Sequence, residues 1–220
     1  MPRIFRILPE TGIFHILTRG NNRQTIFKDD KDFIYYRYLL NLYKEEHKFL
    51  LYHYCFMSNH IHLILETTDK TNLSKLMKQL NLSYMHHFRR KYKYWGHFWQ
   101  GRFKSLLIDR DEYLITCGRY IENNPVRAKM VGRPEDYQWS SYKVYAKGAK
   151  DNLIDIDPLY GNLGKTTKQR QDNYQNYFKE ERQDINFNLR FLGSESFVNR
   201  MEEYFGVTNL RNKRGRPAKI

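Results

Sequence analysis

Residues 12–19, GIFHILTR, are rich in β-branched and aromatic side chains and predict a strand, which Gly20-Asn21-Asn22 closes with a turn. A helix is expected next. Asp30 or Asp32 can cap it, and Phe33, Tyr36, Leu40 and Tyr43 fall close to one helical stripe. Residues 49–57, FLLYHYCFM, predict a second strand, and Ser58-Asn59 turns tightly into a third, HIHLILE. Across residues 72–91, Leu73, Leu76, Met77, Leu80, Tyr84 and Phe88 recur at spacings of three and four, which marks an amphipathic helix ending in basic residues. FWQGRFKSLLI, 98–108, reads as a fourth strand. Asp109 or Asp111 can cap a further helix running to about Asn124, where Pro125 discourages continuation.

The order β-α-β-β-α-β-α predicts an α+β protein with a ferredoxin-like antiparallel sheet and helices packed on one face. Residues 1–145 form the expected main domain. Residues 146–167, rich in Gly, Lys, Asp and Asn, read as a connector with a short docked piece around Leu153 to Tyr160. A small C-terminal helical region is expected over 168–207, with helices at 168–182 and 194–206, the second capped by Ser194 or Ser196 and stopped by Gly206. Residues 208–220 form a basic tail whose last ten residues carry five basic groups and no carboxylate, so disorder is expected there.

The formal net charge of +14 over 220 residues points to a polyanionic partner, nucleic acid or an acidic membrane surface. Aromatic residues make up 16% of the chain, so ring faces accompany the basic groups, as surfaces for unpaired nucleic acid require. Cys55 and Cys117 sit in apolar stretches and read as buried thiols, not a disulfide framework. No apolar run approaches bilayer-spanning length and the first residues lack the pattern of a secretory leader, so a cytoplasmic protein is expected.

His60 and His62 are the chemically distinctive pair. Alternate strand residues point to one face, so the two rings stand about 6.5 to 7 Å apart along the backbone and can converge on one cation. Ile61, Leu63 and Leu65 then face the helices. A His-x-His pair serves equally as two hydrogen-bonded structural histidines. In RYIENNPVRA, 119–128, Tyr120 and Asn124 are four apart, so a phenol and an amide project from one helical face. They read either as groups approaching the same metal or as a core tyrosine and a helix-ending asparagine. Two imidazoles and one amide oxygen would leave open coordination positions, which suits catalysis better than structure.

Taken together, CFMSNHIHLIL, FWQGRFKSLLI, YIENNPVRA and WSSY resemble the HUH-type single-tyrosine transposases, most closely the REP-associated tyrosine transposases of bacteria, over roughly residues 10–145. The resemblance implies that His60, His62 and Asn124 bind a divalent metal, Mg²⁺ or Mn²⁺, and that Tyr120 is the nucleophile. The implied reaction is metal-dependent cleavage and strand transfer of single-stranded DNA through a 5′-phosphotyrosine intermediate at hairpin-containing, REP-like palindromes, by a monomeric, nucleoid-associated enzyme. The turn before the first histidine is often Met-Pro-Asn in that family and is Met57-Ser58-Asn59 here, where serine suits a turn equally. WSSY, 139–142, reads as structural. The competing readings are a hairpin-binding protein without cleavage activity and a metallohydrolase that uses water in place of Tyr120.

The expected DNA surface is RRKYKYWGHFWQGRFK, 89–104, with six Lys or Arg, no carboxylate and interleaved rings. Its candidate contacts are Arg89, Arg90, Lys91, Lys93, Tyr94, Arg102 and Lys104, with Arg127 just beyond the nucleophile. The other reading of this stretch is a solvated helix end followed by a strand whose aromatics enter the core. Arg214-Gly215-Arg216-Pro217 resembles an AT-hook core, in which Arg214 and Arg216 would enter a narrow minor groove; nonspecific phosphate attraction is the alternative.

Overall fold

The computed structural model describes residues 6–178, 185, 186 and 188–210. Arg214, Arg216 and most of the basic tail lie outside the described residues, as does the end of the helix expected over 168–182. Strand β1 (Gly12–Arg19), helix α1 (Asp30–His47), strands β2 (Leu50–Met57) and β3 (His60–Thr67), helix α2 (Leu73–Tyr92), strand β4 (Lys104–Ile108) and helix α3 (Glu112–Glu122) follow in the expected order. After them come α4 (Asn124–Arg127), α5 (Tyr142–Lys147), α6 (Thr167–Tyr177), strand β5 (Phe191–Leu192) and α7 (Glu195–Phe205).

The sheet order is β2-β3-β1-β4-β5, antiparallel except for β5, which runs parallel to β4. Helices α1 and α2 lie on one face. There Leu73, Leu76, Met77, Leu80, Tyr84 and Phe88 of α2 meet Ile61, Leu63 and Leu65 of β3 and Phe14 and Ile16 of β1. Each such fully buried side chain contributes about 1.5 to 3 kcal/mol. Asp29 caps α1 instead of Asp30 or Asp32, while Asp32 returns the bond as the other half of a capping box. The opposite face is part covered by α3, whose Leu114, Cys117 and Ile121 pack on Ile13, Cys55, Ile64 and Leu106. Cys55 and Cys117 are both free thiols, buried as expected. WSSY lies along β2, with Phe56 N–H bonded to the Trp139 carbonyl and Ser141 N–H to that of Tyr54.

The fourth strand is shorter than its sequence suggests. Residues 98–103 form a loop touching the sheet through the bridge between Gly20 and Trp99, and ladder pairing with β1 begins only at Lys104. The rings explain the difference. Phe98 is buried against Phe88 and Tyr84, and Trp99 donates its Nε1–H to the Asn81 carbonyl, so both serve α2 and not a strand register.

Below the α3 face lies a buried polar cluster. His53 of β2 shares hydrogen bonds through Nδ1 with Glu122 (2.9 Å) and through Nε2 with Asp157 (3.0 Å), and all three side chains are buried. Glu122 also accepts from Ser141 Oγ (2.5 Å) and Tyr174 OH (2.7 Å). Burial works against the charged imidazole, but the hydrogen bonds and charges of Asp157 and Glu122 outweigh it and raise the His53 pKa to about 9. A raised pKa contributes stability that is complete below the unfolded value near 6.5 and lost as pH rises through about 9. His53→Gln should therefore lower the melting temperature most at pH 6 and least at pH 10 in thermal unfolding. Removing the partner altogether with His53→Ala should cost about 3 to 5 kcal/mol in denaturant titration.

Candidate active site

Antiparallel pairing sets the site. Arg19 of β1 and Met57 of β2 stand opposite His60, Leu17 and Cys55 opposite His62, and His15 and His53 opposite Ile64. Directly opposed residues share a face, so His60, His62, His15 and Arg19 all project to the α3 side of the sheet. Lys104 joins them, because Leu17 pairs with it on the other flank.

The imidazoles form a chain. The rings of His60 and His62 lie 4.9 Å apart, centroid to centroid, at a steep angle, and His62 stacks on His15 at 5.0 Å. His62 Nδ1 and His15 Nε2 share a hydrogen bond of 2.8 Å, while His60 Nδ1 donates to Asn59 Oδ1 at 2.5 Å. Nδ1 is thus engaged in both rings. Burial, reinforced by Arg19, lowers the His60 pKa to about 4. Burial together with His15, His60 and Arg19 puts His62 well below the ordinary value. His15 falls to about 3, through burial and then His60. The rings are neutral at physiological pH, as ligation requires. No group of three or more His, Cys, Asp or Glu side chains that could hold a metal ion is found among the described residues.

Tyr120 is half-buried on α3 and packs on the apolar cluster of this face, with the Arg127 guanidinium 4.7 Å above its ring. The electrostatics of Arg19 couple it to Tyr120, His60 and His62 alike. Helix α3 ends at Glu122, and Asn124 opens the short α4, so the two are not successive turns of one unbroken helix. Asn124 Nδ2 donates to the Ile121 carbonyl at 3.2 Å, which leaves the amide oxygen as its remaining polar atom.

The basic stretch 89–104 divides by role. Arg89 bonds the Gly96 carbonyl, Lys91 pairs with Asp29 and Asp32, and Tyr94 packs on Phe88 and Phe98 while donating to the His97 carbonyl. Arg90, Lys93, Arg102 and Lys104 are exposed, as is Trp95, at 88%. His15 and Arg19 escape a reading that treats each motif singly. Aligning GIFHILTR antiparallel against HIHLILE would have found both.

Helix α3 approaches the sheet so closely that a Cβ at Gly118 would lie 2.5 Å from the His53 ring. Gly118→Ala should therefore displace the Tyr120-bearing helix, costing about 1 to 3 kcal/mol in denaturant unfolding. A stability equal to that of the parent would contradict this packing.

The family model described as "Transposase IS200 like" matches residues 10–124, just over half of the chain. No curated protein matches. Among solved structures, a REP-associated tyrosine transposase bound to a REP hairpin aligns at 18% identity and TM-score 0.59, covering 71% of this chain and 95% of that one. A candidate transposase from Deinococcus radiodurans aligns at 16% identity and TM-score 0.39, covering 56% of this chain and 97% of the other. The first likeness establishes the same fold, and the second carries no argument. No helix among the described residues is long and apolar enough to cross a membrane. The matched span holds β1 through α3 with every imidazole of the site, Tyr120 and Asn124, and on it the chain belongs to the IS200-like transposase family.

Proposed function

We propose that the protein is a metal-dependent single-strand DNA endonuclease and strand transferase that uses Tyr120 as nucleophile on hairpin-containing repeats. The observation that carries this reading is the neutral His60–His62 pair on the sheet face covered by the helix bearing Tyr120. Residues 1–145 are read as the nuclease unit. His60, His62 and the Asn124 amide oxygen are the groups that would hold a divalent cation, and the donor chemistry fits. Each imidazole has its Nδ1 anchored by a neighbouring side chain, the outer arrangement that fixes ring orientation in metal sites. Imidazole ligands favour Mn²⁺ over Mg²⁺ in affinity.

When bound, the cation supplies Lewis-acid polarisation of the scissile phosphodiester. The Tyr120 hydroxyl loses its proton and its oxygen attacks phosphorus. The bond to the 3′ oxygen breaks and that oxygen takes up one proton, equal to the one Tyr120 released, so the products are a 5′-phosphotyrosine and a free 3′-hydroxyl. One phosphoester replaces another, so no nucleotide is consumed, and a returning 3′-hydroxyl can reverse the step. The solved structure of similar fold holds a REP hairpin, which supports hairpin DNA as the partner. Arg90, Lys93, Arg102, Lys104 and Arg127 are the basic groups proposed to meet its phosphates.

A labelled hairpin oligonucleotide with a single-stranded extension, incubated with Mn²⁺, should yield a covalent protein–DNA adduct on denaturing gels, and Tyr120→Phe should abolish it. Cleavage without an adduct would favour attack by water, and binding without cleavage would favour a recognition protein. His15→Phe should weaken Mn²⁺ binding about 10- to 100-fold in a paramagnetic resonance titration, because His62 would lose its anchor.

A further inference from the structure

Three arginines of the described chain pair with a carboxylate: Arg37 with Asp151, Arg110 with Glu66 and Arg133 with Asp136. Arg19 differs. It forms no ion pair with a carboxylate among the described residues, and its Nε, shielded from solvent, has no hydrogen-bond acceptor among them. An arginine remains charged and presents five donors in a planar fork suited to a phosphate. Nε of Arg89 and of Arg190 is likewise without an acceptor, but of these three arginines only Arg19 stands in the ladder opposite His60, where an anion could meet its fork.

Its position is fixed from both sides. Arg19 stands opposite His60 in the ladder, its carbonyl accepts from Gln100 N–H (2.9 Å), and the next residue, Gly20, donates to the Asn59 carbonyl (2.9 Å). Gly20 permits this close turn, since a Cβ there would lie 2.5 Å from the Gln24 carbonyl. The electrostatic surroundings agree. Burial and the neighbouring Arg23 lower the Arg19 pKa, against an opposing charge interaction with Tyr120.

We propose that Arg19 is a further catalytic residue, which binds the non-bridging oxygens of the scissile phosphodiester between the His60–His62 pair and Tyr120. This rests on the reading of the site as a Tyr120-dependent transesterase. The fork would hold the phosphate in line with the phenol and stabilise the charge that grows on its equatorial oxygens. The atoms exchanged remain those of the Tyr120 reaction; Arg19 contributes hydrogen bonds and charge only.

The test has two arms. In the adduct assay, Arg19→Ala should react about 10²- to 10³-fold more slowly than the parent, the usual cost of deleting one donor to a developing oxyanion, and Arg19→Lys should recover only part of that loss. In the Tyr120→Phe background, hairpin oligonucleotides carrying one neutral methylphosphonate at successive linkages should lose affinity at one linkage when Arg19 is present, and lose nothing further there in Arg19→Ala. An unchanged adduct rate in Arg19→Ala, or the same sensitivity to methylphosphonates with and without Arg19, would overturn the assignment. Melting temperatures of the Ala and Lys variants separate loss of contact from loss of fold. Failure of the parent to form any adduct would instead count against the transesterase reading, and the binding arm would still decide whether Arg19 holds a phosphate.

Discussion

The antiparallel register of β1 against β3 is the constraint on which the rest depends. Side chains alternate across a strand, so a slip of one residue would send His60 and His62 into the α1–α2 core and bring Ile61, Leu63 and Leu65 to the site. The apolar set forbids that slip. Its burial against Leu76, Leu80 and Tyr84 holds four polar residues, His15, Arg19, His60 and His62, on the other face. The chemistry of the site is therefore a consequence of packing on the side that does none.

Tyr120 arrives by a different route. Helix α3 is held to β2 partly by apolar contacts and partly by the His53–Glu122–Asp157 cluster, which Ser141 and Tyr174 complete. Glu122 lies two residues beyond Tyr120, so the segments that supply Asp157, Ser141 and Tyr174 reach the Tyr120-bearing helix directly. A buried charge of this kind is a weak source of net stability compared with an apolar isostere, but it is costly to break and it fixes one arrangement of the helix. The segment after residue 145 also enters the main core through Leu153, Phe191 and Phe197, and β5 extends the sheet beside β4.

Charge on the surface is distributed by the same economy of partners. Lys91 is paired with Asp29 and Asp32 at the mouth of α1, and Lys93, Arg102, Lys104 and the Trp95 ring are exposed. A net charge of +14 thus resolves into basic groups that hold the fold and basic groups available to a polyanion.

The amino-acid sequence by itself determined the order of the elements through α3, the apolar stripe of α2, the facing of His60 and His62, and the family to which these motifs belong. Those features are local, being written in spacings of two, three and four residues. Tertiary structure alone decided what depends on distant partners. It moved the start of β4 to Lys104, because Phe98 and Trp99 find better burial against α2 than in a ladder. It broke the helix between Tyr120 and Asn124, set His53 between two carboxylates more than sixty residues away in sequence, and placed Arg19 beside His60 with no carboxylate paired to it among the described residues. Cross-strand register and the pairing of buried charges are properties of the folded ensemble of contacts, and no window along the chain contains them.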